Sequence, residues 1–474
     1  MSPEGKPTGR PIAAETVALA EQNRRLLDAS GQHPMLSGIH TPMAEELTLE
    51  HLSVDGVLPR SLNGRYVRIG PNPIAPDPRG YHWFAGDGVV HGIAIESGQA
   101  IWYRNRWIRS TAVAAILGEP PAPGPRHGRV DTVNTNVFGL GGRTWAMVEA
   151  GSVPVSMSER FDEQRYDAFG GSLQGSFTAH PHCDPATGRL HAIAYQTGQL
   201  DRVRYIMISP EGAVLKDVPI SVEHGPSIHD CAITRERIVI LDLPVTFSMD
   251  SLVGGQRFPF RWNPEHKARV GLMPFDGSGS DVIWCDVEPC YVFHTGNAFE
   301  NADGTVTLDV VAHDRMFEGG HQGPSGRTLG VERWTIDPHE KRVIRRSIDA
   351  SGQEFPRYNE DLSGMPTRYL YTIAASGQDE PLASAVYKHD FMTGQRHAHD
   401  FGRNQVPGEF VFVPAEHGSS EDDGWLMGLV IDVERDTTDL VLLDARKIES
   451  PPVARVHLPH RIPPGFHGNW IPSA

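Results

Sequence analysis

The 474-residue sequence holds only four cysteines, Cys183, Cys231, Cys285 and Cys290. No two form a CxxC pair, and four thiols in so long a chain are too sparse for a disulfide framework, so they read as reduced thiols of a cytoplasmic protein. Positive charge is also scarce: 43 Lys and Arg stand against 59 Asp and Glu, a formal net charge of −16. That balance repels phosphate backbones and anionic membrane surfaces, which argues against a nucleic-acid partner and against polybasic lipid targeting. Long apolar runs are missing as well. The stretch AAETVALAEQNRRLLDA near the start has an interrupted helical pattern without the apolar region of a signal peptide, and no later run approaches the roughly 18 apolar residues of a membrane span. Neither export nor a span is expected.

What the sequence does hold is 49 glycines, 38 prolines and 23 histidines. So much Gly and Pro breaks helices and suits short strands joined by tight turns. Runs such as RYVRIG, ERIVILDLP and GTVTLDVVAH, punctuated by Gly, Pro, Asp or Asn, make the chain all-β. WTIDPHEKRVIRRSI, YKHDFMTGQRHAHDF and VLLDARKIESPPVARVHL each run strand, acidic turn, strand, with turn residues Asp337, Asp390 and Asp444 spaced 53 and 54 residues apart. That period, slightly above the common blade length, predicts a β-propeller of seven or eight blades, of which seven is the expected number. Residues 1–41 read as an N-terminal helical extension and 42–474 as one propeller domain. A sandwich or a two-domain arrangement is the alternative, but no low-complexity linker divides the chain. Two insertions interrupt the strands. RSTAVAAILGEPPAPGP reads as a short helix ended by Pro120 and Pro121, and FSMDSLVGGQRFPFRWNP as a partly apolar loop; together they are expected to cap one face.

A lone histidine is more often a surface or satisfied core residue than a ligand, but four stand out by their surroundings. They are His180 in FTAHPHCDPATG, His229 in SIHDCAIT, His294 in FHTGNAFE and His467 in GFHGNW, each beside small or turn-forming residues. Their spacings of 49, 65 and 173 residues approximate whole blades. In a propeller the innermost strand of each blade lines the axis, so equivalent positions converge there and define a metal site. Four neutral imidazoles suit Fe, Cu, Ni or Zn better than Mg or Ca. Structural zinc would normally recruit cysteines. Iron(II) can take six ligands and would keep two positions free, but the imidazoles alone leave the metal open. His182, two residues from His180, points to the opposite face in a strand and is left out of the set.

At these residues the chain resembles the carotenoid cleavage oxygenase family, and the resemblance runs from about Pro42 to Ala474. Its segments, in order, include NGRYVRIGPNP, YHWFAGDGVVHG, WYRNRW, NTNVF, WAMVEAG, FTAHPHCDPATG, SIHDCAIT, PCYVFHTGNAFE, QEFPRYNE, GEFVFVP, EDDGWLMGLV and GFHGNW. The resemblance implies a seven-bladed propeller with one Fe(II) per chain on its axis, held by His180, His229, His294 and His467, with no catalytic group beyond the metal centre. It also implies three supporting glutamates, Glu149, Glu354 and Glu409, paired with His229, His294 and His467 respectively. Their use is physical: a ligating imidazole normally gives its other ring N–H to a carboxylate, which fixes tautomer and orientation. His180 is then left without one. Glu421, Asp422 and Asp423 read instead as an exposed turn.

The implied activity is oxidative cleavage of a carbon–carbon double bond by Fe(II) and O2, giving two carbonyl products without an organic cofactor. Relatives divide into those acting on polyenes and those acting on phenolic stilbenes or phenylpropenes. The phenolic cleavers resemble one another in a lysine just before the first supporting glutamate, where this chain has Val148, and residues 110–125 hold no tyrosine to assist it. An apolar side chain suits a hydrocarbon tunnel, so a carotenoid or apocarotenoid is expected, with an alkene-cleaving dioxygenase for stilbene-like aromatics as the alternative. Trp83, Phe84, Trp145, Phe293 and Val148 are candidate tunnel residues. The apolar stretches at 110–117 and 243–262 are candidates for weak peripheral membrane contact. A propeller that only binds ligands or partners would need neither the four histidines nor their glutamates.

Overall fold

The computed structural model describes residues 33–127, 130–318, 323–375, 384–416 and 418–473. The helix expected within 13–29 lies outside them. Among the described residues α-helix is confined to α1 (Thr111–Leu117) and α2 (Met249–Val253), and the rest is a succession of antiparallel sheets. The all-β reading therefore holds, and the arrangement is propeller-like. Asp337, Asp390 and Asp444 each sit in a hairpin turn where the carboxylate accepts backbone N–H groups, those of His339, Met392 and Arg446 among them.

Five sheets have the four or five strands of a blade, and a sixth has eight. The eight-stranded sheet consists of two four-stranded units, one starting at Cys231–Ile233 and one at Tyr291–Glu300. They are joined where Asp286 at one outer edge pairs in parallel with Arg342 at the other. Strands between neighbouring sheets are buried on both faces, as in Gly64–Pro71 and Val306–His313. Outer strands such as Val214–Ser221 alternate between exposed and covered positions.

Both ends of the fold are stitched to the opposite end of the chain. Gly468–Pro472 pairs with Gly64–Pro71, and Val54–Gly56 pairs with Ala454–Leu458. The first strands of successive sheets touch one another: Cys231–Ile233, Tyr291–Glu300, Gln353–Arg357, Gln405–Pro414, Gly468–Pro472 and Asn136–Leu140 follow in that order. Three of these strands are bulged. The register slips between Val292 and Thr295, between Glu354 and Arg357, and between Pro407 and Phe410. A bulge turns a side chain out of the pleat, and these three lie at His294, Glu354 and Glu409.

Two expectations about the periphery need correction. The helix α1 ends at Gly118, which has φ 65 and caps it in the left-handed conformation before Pro120 is reached. Asp422 is buried rather than exposed, because its carboxylate accepts from Lys388 Nζ at 2.6 Å, and Glu421 accepts the backbone N–H groups of Arg368 and Tyr369. The insertions also differ from each other. Val113 of α1 packs on Ile74, Val89 and Trp107, whereas α2 leaves Met249, Leu252 and Val253 exposed.

Gly428 faces Phe410 across the strand pair that carries Glu409, and a Cβ there would lie 2.5 Å from the Phe410 ring and 2.6 Å from the Glu409 carbonyl oxygen. Gly428→Val should therefore lower stability by about 1–3 kcal/mol, the usual cost of overpacking, read as a reduced midpoint in urea denaturation.

Candidate metal centre

His180, His229 and His467 each stand just before the first strand of a sheet, and His294 lies within one, at its bulge. The four side chains are buried and their Nε2 atoms converge. The separation is 3.1 Å from His180 to His229, 3.2 Å from His229 to His294 and 3.1 Å from His294 to His467.

Three carboxylates fix the rings from behind. Glu149 Oε2 is 2.6 Å from His229 Nδ1, Glu354 Oε2 is 2.6 Å from His294 Nδ1, and Glu409 Oε1 is 3.0 Å from His467 Nδ1. The Nδ1–H groups of His294 and His467 donate to Glu354 and Glu409, and His229 Nδ1 stands at ion-pair distance from Glu149, so all three rings turn Nε2 to the axis and in the neutral form present a lone pair there. Lone pairs facing one another across 3.1–3.2 Å repel unless a cation lies between them. A set of neutral imidazoles suits a transition-metal ion, and these residues could hold one. His180 has no carboxylate partner among the described residues.

Every carboxylate has a second partner. Tyr195 OH donates to Glu149 Oε1 at 3.0 Å, His313 Nε2 to Glu354 Oε1 at 2.8 Å, and Arg357 Nε to Glu409 Oε1 at 2.9 Å. Backbone N–H groups of Phe355 and Gly468 add donations to Glu354 and Glu409. Burial opposes the charge of Glu354, yet the imidazoles of His294 and His313 hold its carboxyl well below the usual carboxylate range. Burial opposes Glu409 too, but Arg357 and His467 bring it down to about 2. His180 is lowered by burial and then by the other imidazoles, and burial brings His467 to about 4 against the pull of Glu409. His294 is raised: burial lowers it, but the Glu354 carboxylate outweighs burial, so protons compete with a metal ion most at this ring.

The backbone beside two of these carboxylates is in the left-handed region, with φ 55 at Ala150 and φ 53 at Phe355. Such a conformation costs energy for a residue with a Cβ and is found where surrounding structure enforces it. At Phe355 it lays the ring on His294, with centroids 5.2 Å apart and planes at 23°.

A cavity of about 990 Å³ reaches the cluster from one side. Trp83, Phe84, Val148 and Phe293, all expected from the sequence, line it, together with Phe258 and Phe466. Trp145 does not. Its ring is stacked on Phe169 in the core at 4.9 Å, and its Nε1–H donates to the Leu140 carbonyl. On the other side a polar recess of about 50 Å³ is lined by His182, Asp230, Arg357 and Glu360. His182 donates to Asp230 at 2.8 Å and stays out of the axial set, as expected. Sequence reasoning missed Tyr195, His313, Arg357 and Phe355. The last two lie within QEFPRYNE, while AIAYQTG and VAHDR carry no local signal for the first two.

A family model described as RPE65, retinal pigment epithelial membrane protein, matches residues 40–472. The carotenoid cleavage oxygenase of Mycobacterium tuberculosis is 41% identical over 94% of this chain and 99% of that protein. Among solved structures, a cobalt-substituted apocarotenoid oxygenase of Synechocystis has a TM-score of 0.81 at 26% identity, over 91% of this chain and 97% of its own. The lignostilbene dioxygenase of Pseudomonas brassicacearum shares the fold, with a TM-score of 0.83 at 24% identity over 93% and 99% of the two chains. With the family model matched over nearly its whole length, the chain belongs to the RPE65 family, that of the carotenoid cleavage oxygenases.

Proposed function

We propose that the protein is a ferrous-iron-dependent dioxygenase that cleaves one C=C bond of a carotenoid or apocarotenoid to two carbonyl products. The observation that carries this reading is the meeting of a four-imidazole cluster with a cavity of about 990 Å³ walled by aromatic side chains. A polyene is long, apolar and polarizable, and such walls hold it while excluding water.

His180, His229, His294 and His467 would hold one ferrous ion per chain, which when bound supplies dioxygen chemistry at an alkene. The chain's own part is orientation. Glu149, Glu354 and Glu409 keep the Nδ1 protons of three rings and aim their Nε2 atoms inward. Phe355 holds the His294 ring from one face, and Trp83, Phe84 and Phe293 position the polyene beside the cluster. Val148 offers no proton acceptor, and the Tyr195 hydroxyl is engaged by Glu149 and Ser227, so a phenol would find no activating group at this wall. Stilbenes and phenylpropenes are for that reason the second reading.

This reading takes 42–474 as one catalytic domain of seven blades, the eight-stranded sheet counting as two. The hairpin Val245–Phe247 with Phe260–Trp262, carrying α2 between its strands, caps the cavity, whose wall includes Leu252 and Phe260. Among the described residues no helix is long and apolar enough to cross a membrane. Met249, Leu252 and Val253 are the residues through which weak peripheral contact with a lipid surface would bring a polyene to the cavity.

Incubation with β-carotene, an apocarotenal and resveratrol under labelled dioxygen should give label in both carbonyl products of a polyene; cleavage of resveratrol alone would reverse the substrate assignment. Anaerobic Fe(II) loading should give one iron per chain, and His294→Ala should abolish it. Glu354→Gln should lower iron affinity by roughly 10 to 100-fold in a chelator competition. Glu409→Gln should do the same and also lower the stability of the metal-free protein by about 1–2 kcal/mol, because Arg357 loses one carboxylate partner but keeps Glu360.

A further inference from the structure

Away from the axis a second pair of imidazoles converges. His224 Nδ1 and His266 Nδ1 stand 3.1 Å apart with their rings at 69°, the spacing found between neighbouring Nε2 atoms of the axial cluster. His266 is buried, and its Nε2–H donates to Asp242 Oδ1 at 2.8 Å. Asp242 is fully buried, and its other oxygen accepts from Arg269 Nε at 2.8 Å. The carboxylate therefore fixes the proton of His266 on Nε2 and leaves a lone pair on Nδ1. That is the support a metal-ligating histidine normally has, with the two ring nitrogens exchanged relative to the axial ligands. His224 is exposed and sits in a turn at φ 61, a left-handed conformation that a residue with a Cβ adopts at a cost.

We propose that His224 and His266 form a second metal site, for a borderline divalent transition ion of the zinc, copper or nickel class, with Asp242 and Arg269 as its support. Two imidazole nitrogens do not attract Mg or Ca, which prefer oxygen. Without metal, the His224 Nδ1–H donates to His266 Nδ1. On binding, that proton moves to His224 Nε2, on an exposed side chain, so both Nδ1 lone pairs reach the ion and the ring charges do not change. Water fills the remaining positions.

The ion would tie together two turns of different origin. One, at His224, leads into the segment carrying His229. The other, at His266, follows the strand Phe260–Trp262, whose first residue lines the cavity. Occupancy would stiffen the cavity rim without touching the axial cluster.

Iron-loaded protein dialysed against submillimolar zinc should take up one zinc per chain, keep its iron and melt at a higher temperature than without zinc. His224→Ala alters an exposed side chain outside the axial site. It should take up no zinc and lose the zinc-dependent rise in Tm, while its iron content and turnover match those of the wild type. No uptake by the wild type, equal uptake by the variant, or uptake matched by loss of iron would each overturn the site. The comparison of wild type with His224→Ala remains readable if iron loading itself fails, so a failure of the axial reading is recognised separately.

Discussion

The structure depends on the tautomer of three imidazoles. With the Nδ1 edges of His229, His294 and His467 turned to Glu149, Glu354 and Glu409, the Nε2 lone pairs of the neutral rings face one another near the axis at 3.1–3.2 Å. That arrangement is unfavourable for the protein alone and favourable around a cation. The bulges at His294, Glu354 and Glu409 and the left-handed backbone at Ala150 and Phe355 can be understood as the local distortions needed to hold it. A regular pleat would send alternate side chains away from the axis.

Burying three carboxylates creates a second requirement. Each must be paired, because an uncompensated charge in the interior is far more costly than an unpaired amide. The chain meets this differently at each position, with a phenol at Glu149, an imidazole at Glu354 and a guanidinium at Glu409. The three carboxylates outnumber Arg357, which Glu360 also engages, so the surroundings of the imidazoles are negative and favour a cation among them. Without the ion, His294 is the ring pulled toward the protonated state, because the Glu354 carboxylate outweighs the burial that opposes it. The surrounding residues thus favour a cation by charge as well as by donor type.

How much of this was legible in the sequence follows from how local each feature is. His180, His229 and His467 could be found because each is flanked by residues that end or begin a strand, and blade-like spacing brought them into one argument. Their glutamates had only a family resemblance behind them, since the partners lie 58 to 80 positions apart in the chain and no periodicity links them. Tyr195 and His313 were invisible because their roles exist only across sheets. Trp145 and Val148 lie three residues apart in one motif, yet only Val148 reaches the cavity; the Trp145 ring turns to Phe169 in the core, a choice made by neighbours distant in sequence. Asp422 failed as an exposed turn for the same reason, its partner Lys388 being 34 residues away. The fused eight-stranded sheet depends on a single edge pairing, which no pattern of strands announces.

Polarity is divided by the imidazole cluster itself. On one side stand Phe84, Phe258, Phe293, Phe466 and Val148; on the other stand His182, Asp230, Arg357 and Glu360 around a recess with room for little more than water. The carboxylates that border the large cavity, Glu149 and Glu354, are already bonded to imidazoles and partners, so their charge is not available to a ligand. A molecule entering the large cavity therefore meets mainly carbon surface beside the cluster, interrupted by polar side chains such as Asn134, Gln256 and Arg257. Val148 gains its meaning from that geometry: at a wall position next to Glu149 the chain keeps the surface apolar, and the cavity beside the cluster remains suited to a hydrocarbon.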